Sequence, residues 1–137
     1  MSPDLELVHT RQDESFRAWV HDYPHMVAKW HFHPEYEVHV ITASSGKFFV
    51  GDFIGDFGPG NLVLTGPNLP HNWVSNLGAG EHVGARDLVL QFSRPFADRM
   101  LGAIPELSPL QDLLEGAARG LQFPDALGRS IIPLMQD

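Results

Sequence analysis

The run Trp30-His31-Phe32-His33-Pro34-Glu35-Tyr36-Glu37-Val38-His39 sets imidazoles and carboxylates on alternating positions. In an extended segment successive side chains face opposite ways, so His31, His33, Glu35, Glu37 and His39 can share one face while Phe32, Tyr36, Val38 and Val40 share the other. A face that collects neutral imidazole nitrogens and a carboxylate suits a divalent transition metal such as Zn, Ni, Fe or Mn. The chain contains no cysteine, which removes zinc-finger, iron–sulfur, disulfide and thiol-nucleophile chemistry together.

These residues must be positioned by a small fold. The 137 residues fit one domain, and a hydrophobic content of 43% with 19% charged residues is ordinary for a folded protein. Nine Lys+Arg against 17 Asp+Glu give a net charge of -8, which makes the chain a poor electrostatic partner for DNA or an anionic membrane. Met1 to Thr10 lack a basic start and a long apolar stretch, and no apolar run approaches membrane-spanning length, so cytoplasmic residence without a membrane partner is expected.

From Phe16 to about Phe92 the chain reads as short extended segments: Phe16–Val20, Met26–His33, Glu37–Thr42, Lys47–Val50, Asn61–Leu64, Asn72–Val74 and Asp87–Phe92. Turn signals separate nearly all of them, among them Gly51-Asp52, Gly58-Pro59-Gly60 and Gly66-Pro67-Asn68. Short strands at close spacing favour a barrel or jelly roll. After Phe92 the pattern turns helical. Ser108-Pro109-Leu110-Gln111 reads as a capping-box start for a helix carrying Leu110, Leu113, Leu114, Ala117 and Ala118, with Gly120 as its stop. A second helical signal begins near Pro124-Asp125, weakened by Gly128 and Pro133, and its apolar pattern is unfinished at Asp137.

The arrangement His31-x-His33-x-x-x-Glu37, then Pro59-Gly60-Asn61-Leu62-Val63-Leu64 and Pro67-Asn68-Leu69-Pro70-His71, resembles the two-part signature of the cupin barrels. The resemblance implies that His31, His33, Glu37 and His71 converge inside the barrel as metal ligands. More narrowly, His-x-His-Pro-Glu-x-Glu with the Gly51-Asp52 hairpin, Pro-Gly-Asn-Leu, Pro-His and a Phe-rich entry into helices resembles the amino-terminal sensor cupin of AraC-type transcription regulators. Ala118-Arg119-Gly120-Leu121-Gln122-Phe123 is similar to the link those regulators place before their dimer-forming helices. The signature departs from the strict enzyme type, which has glycine where His25 stands and another closer behind the glutamate than Gly46.

The expectation is therefore a mainly β, cupin-like β-barrel (double-stranded β-helix or jelly roll) with C-terminal helices. It forms a single domain over 1–137, with the barrel at about 16–92 and a helical extension at 93–137 truncated before a helix-turn-helix domain. Its function would be to sense a small-molecule effector or metal and to dimerise, touching DNA only through that further domain, with no catalytic residues. A small metal-dependent cupin enzyme, a dioxygenase or isomerase, is the alternative. Lys29 shares the strand parity of His31 and could point inward to a ligand carboxylate. His39, Trp73 and Gln91, with Arg17 and Trp19, are further candidates for lining a pocket, and Glu35 for its mouth.

Overall fold

A computed structural model of the protein describes residues 2–8, 15–26 and 29–136. Its strands are β1 (Asp4–Leu5), β2 (Phe16–Tyr23), β3 (His31–Phe32), β4 (Tyr36–Ile41), β5 (Gly46–Val50), β6 (Phe53–Phe57), β7 (Leu62–Thr65), β8 (His71–Ser75), β9 (Val83–Phe92) and β10 (Leu121–Phe123). Three α-helices follow the barrel strands: α1 (Arg94–Ala103), α2 (Leu110–Gly116) and α3 (Asp125–Met135). The strands form two five-stranded sheets with orders β1-β3-β8-β5-β6 and β10-β7-β4-β9-β2. The fold is mainly β and cupin-like, as expected.

Register decides which side chains meet. In the second sheet Glu37, His39 and Ile41 on β4 stand opposite Gln91, Val89 and Asp87 on β9, which in turn stand opposite Arg17, Trp19 and His21 on β2. Directly opposed residues share a face, so this inner face carries most of the polar groups. The alternating outer face is apolar: Tyr36, Val38 and Val40 align with Phe92, Leu90 and Leu88, and Leu64 and Leu62 align with Leu121 and Phe123. Two packed layers result. Ile41 and Val63 meet Phe48, Val50, Phe57 and Trp73 of the facing sheet inside the barrel. Outside it, Leu64, Ala97 and Ala117 pack with Leu113 and Leu114, and Val40, Leu62 and Leu88 with Ile131 and Met135.

Several elements differ from the sequence reading. The strand expected over Met26–His33 is reduced to His31–Phe32; Val27 and Ala28 lie outside the described residues. Pro34 has no N–H to donate to a ladder, and the chain bends between His33 and Tyr36, so β3 belongs to one sheet and β4 to the other. The histidine-rich run is therefore a corner and not one strand. Beyond the expected segments, β6 pairs with β5 across the Gly51-Asp52 hairpin, and the stretch read as a link contains β10, which pairs with β7 at a sheet edge.

The expected capping box at Ser108 does not form. Ser108 is itself helical and closes a 3-10 turn on Pro105, and Pro109 precedes α2 without a side-chain cap; an N-cap residue needs extended backbone. Ser93 does have that geometry, and its hydroxyl accepts from the Phe96 N–H at 3.2 Å to start α1. Gly120 ends the second helical stretch as expected, in the left-handed region at φ 83°.

Gly128, read as a weakness in the last helix, is a contact. A Cβ there would lie 1.7 Å from the Gly60 carbonyl oxygen, because α3 meets the β6–β7 turn backbone to backbone. Replacing Gly128 by Ala is expected to displace α3 and lower stability by about 1–3 kcal/mol, the usual cost of overpacking. Urea denaturation measures it, and an unchanged midpoint would contradict the contact.

Candidate functional site

His31, His33 and His71 gather inside the barrel with their candidate ligand atoms within 4.8 Å of one another. His31 and His71 are direct cross-strand partners on β3 and β8, which brings their rings to a centroid distance of 4.4 Å. His33 follows β3 at the corner, and Glu37 enters from the opposite sheet on β4. Its carboxylate, 3% exposed, lies 3.0 Å from His33 Nε2 and 3.3 Å from His71 Nε2. All four residues expected as metal ligands thus meet.

The far sides of the three rings are anchored alike. Nδ1 of His31 faces the Lys29 carbonyl, Nδ1 of His33 the Glu35 carbonyl at 3.1 Å, and Nδ1 of His71 the Leu69 carbonyl at 2.8 Å. A carbonyl only accepts, so each Nδ1 carries the proton and each Nε2 offers its lone pair inward; the tautomer is assigned from the hydrogen-bond network. This is how metal-ligating histidines are held. His71 Nε2 is buried without a hydrogen bond although it lies 3.3 Å from the Glu37 carboxylate, so that position calls for a proton or a cation. His33 Nε2 meets the same carboxylate and needs a second proton or a cation there. A divalent metal satisfies both positions.

Electrostatics follow from this packing. Burial alone would raise the Glu37 carboxyl, but His71 and His33 hold it well below the usual range. Burial works against protonating His33, yet its hydrogen bond to Glu37 and the charges of Glu37, Glu6 and Glu35 raise it. His31, buried beside His71, is pushed down to about 4.

The expected pocket residues divide. Gln91 is central: its amide donates to Glu37 Oε1 at 3.0 Å and to Glu6 Oε2 at 3.3 Å, while its oxygen accepts from Trp19 Nε1 at 3.1 Å. Arg17 lies over the Trp19 ring at 4.2 Å and does not line the cavity. His39 and Trp73 stack at 3.8 Å and line the interior cavity. Glu35 is only half-buried, and its backbone carbonyl serves His33. Lys29 is a correction: its ammonium is exposed and pairs with Asp4 at 3.0 Å. The irregular backbone before β3 breaks the parity that pointed it inward, and only its carbonyl serves the site.

Glu6, which the sequence reading overlooked, reaches the cluster from the chain's beginning, with its carboxylate 3.6 Å from His33 Nε2. Burial raises its pKa. Nothing in its local sequence marks it, because it arrives through β1 pairing beside β3.

A second buried cluster was also missed. Asp87 takes His39 Nε2 at 2.7 Å, His21 Nδ1 at 3.2 Å, and two bonds from Arg86 at 2.8 and 3.1 Å. Arg86, 1% exposed, also donates to the Trp73 carbonyl and Ser75 Oγ on the facing sheet. Adjacent strand residues ordinarily face opposite ways. Here a register shift in the β2–β9 ladder and a positive φ at Ala85 turn Arg86 back beside its neighbour. Although His21, His39 and Asp87 could themselves surround a metal, the guanidinium already occupies the cation position. Burial would raise Asp87, but the His39 hydrogen bond and charge, with Arg86, hold it below its usual value.

Between the clusters lies a cavity of about 20 Å³, enough for one water or ion. A family model described as an AraC-like ligand binding domain matches residues 13–131. The chain belongs to this family. No individual curated protein matches it. Membership in a ligand-binding family implies a small-molecule effector, and no helix among the described residues is long and apolar enough to cross a membrane.

Two outcomes test the electrostatics. Between pH 6.5 and about 4 the unfolded chain protonates His31 and the folded chain does not, so this residue makes stability rise with pH across that window. His33 acts oppositely, its contribution being present below 6.5 and lost as pH rises through its raised value. His31→Gln should therefore flatten the rise between pH 4 and 6.5 in urea midpoints measured with chelator; an unchanged slope would contradict a buried neutral His31. Arg86→Met, which leaves Asp87 without its cation, should cost about 3–5 kcal/mol in the same assay, and a loss below about 1 kcal/mol would show the pair to be solvated.

Proposed function

We propose that this AraC-like domain is the sensor and dimerisation module of a cytoplasmic transcription regulator, and that a divalent transition metal binds inside its barrel. The observation that carries the metal reading is the shared tautomer of His31, His33 and His71. Each Nδ1 is held by a backbone carbonyl, and the Nε2 atoms of His33 and His71 turn toward Glu37. His31, His33, Glu37 and His71 would hold the ion, with Gln91 and Glu6 orienting the carboxylate and lining its flank. Mixed imidazole and carboxylate donors suit Zn, Ni, Fe or Mn.

The ion would supply positive charge that joins β3 and β8 of one sheet to β4 of the other. Occupancy would thereby favour one arrangement of the sheets and bias how an attached helix-turn-helix domain is presented. DNA contact belongs to that further domain, since the net charge of -8 disfavours it here. A metal-dependent dioxygenase or isomerase fits less well, because the cavity beside these residues, about 20 Å³, is smaller than small-molecule sites usually are.

Elemental analysis of the purified chain tests the reading. Near-stoichiometric metal is expected in the wild type and none in the His31→Ala/His33→Ala double variant, with far-UV circular dichroism unchanged. Added metal should raise the thermal midpoint of the wild type only. Metal retained by the double variant would overturn the ligand assignment.

A further inference from the structure

Two carboxylates, not one, face the buried imidazoles. Besides Glu37, the Glu6 side chain, 8% exposed, sets Oε2 3.6 Å from His33 Nε2. The amide nitrogen of Gln91 donates to both acids, at 3.0 Å to Glu37 and 3.3 Å to Glu6, and so holds them together against their repulsion. With the three imidazoles neutral, the cluster carries two negative charges; a protonated His33 would still leave one over. No lysine or arginine among the described residues forms an ion pair with either acid. Arg17, stacked on Trp19, acts on Glu6 only at longer range, whereas Asp87 in the neighbouring cluster has a guanidinium of its own. Buried negative charges without a cation are costly, and His71 Nε2 stands buried and unpartnered beside Glu37.

On the metal reading of the barrel, we propose that Glu6 is a fifth ligand to the same divalent ion, and that the ion thereby fastens β1 to the interior. Ligand atoms about 2.1 Å from one ion stand roughly 3.0–3.4 Å apart. The pairs His33–Glu37, His71–Glu37 and His33–Glu6, at 3.0, 3.3 and 3.6 Å, lie near that spacing, and Glu6, His33 and Glu37 offer ligand atoms within 4.8 Å of one another. A dication with two carboxylates also leaves the site neutral, which a set with one carboxylate does not.

β1 is otherwise lightly held. It pairs with β3 over two residues, Asp4, Leu5 and Leu7 are exposed, and the Asp4–Lys29 ion pair is of the solvated kind that contributes little. The Asp4 N–H donates to the Trp30 carbonyl at 3.1 Å and the Glu6 N–H to the Phe32 carbonyl at 2.8 Å, so these two amides report whether the segment is docked. A protonated His33 between the two acids would dock it without a metal, and amide exchange separates the two cases.

The test is zinc affinity by chelator competition, with hydrogen exchange of the Asp4 and Glu6 amides in zinc and in chelator. Glu6→Gln, which keeps the shape and removes the charge, should still bind zinc but at least about tenfold more weakly than the wild type. Asp4→Asn, on the same strand but away from the ion, should change affinity by less than about twofold. In the wild type zinc should slow both amides at least about tenfold, more than those of the β6 edge strand, and in Glu6→Gln the Asp4 amide should not be slowed. Equal zinc affinity in Glu6→Gln, an equal loss in Asp4→Asn, or amides equally protected in chelator would each overturn the ligand role of Glu6 while leaving the other four ligands in place. A wild type that binds no zinc would overturn this proposal and the metal reading together. Exchange in the wild type decides the matter if Glu6→Gln does not fold.

Discussion

A carboxylate with 3% of its surface exposed is the constraint on which the interior depends. An ionised group in a closed barrel must be compensated by nearby positive or donor groups, since its lost hydration amounts to several kcal/mol. Glu37 meets that demand from every side: His33 and His71 from the facing sheet, and the amide of Gln91 from the neighbouring strand. The demand propagates outward. Gln91 is oriented by Trp19, and each histidine is fixed through Nδ1 to a backbone carbonyl two residues away.

Arg86 and Asp87 repeat the solution at a second place. There the cation is a guanidinium, supplied by the chain and bonded across to β8. The barrel is thus fastened by two polar bridges between its sheets. One is complete in its own charges. The other leaves His71 Nε2 buried without a partner.

The same strands invert the ordinary arrangement of a barrel. β4 and β9 turn carboxylates, imidazole and amide inward, and Val38, Val40, Leu88 and Leu90 outward. An apolar outer face cannot remain in water, so α1, α2 and α3 cover it, Ala97, Ala117 and Gly128 permitting close approach. Cover and sheet leave a chamber between them, whose floor shares its backbone with the polar site.

Much of this was legible in the residues. The spacing of His31, His33 and Glu37 named a donor set because alternation and ligand chemistry are local properties, and the turn residues Gly51-Asp52 and Gly120 marked reversals that backbone sterics impose. Strand parity also placed Val38 and Val40 on the face opposite Glu37 and His39. Long-range register was another matter. Glu6 and Asp87 carry no local signal, and only pairing through β1 and β9 brings them inside. Lys29 looked inward by parity, but the tertiary structure begins the strand only at His31 and leaves Lys29 paired with Asp4. Ser108 offered a helix cap and Ser93 provided one, because capping depends on a backbone angle set by neighbouring elements. The sequence by itself determined which chemistry was available and, where a strand runs without a break or bulge, on which side of it that chemistry would lie. Only the tertiary structure decided which groups meet, since convergence of two sheets and burial of charge depend on residues far apart along the chain.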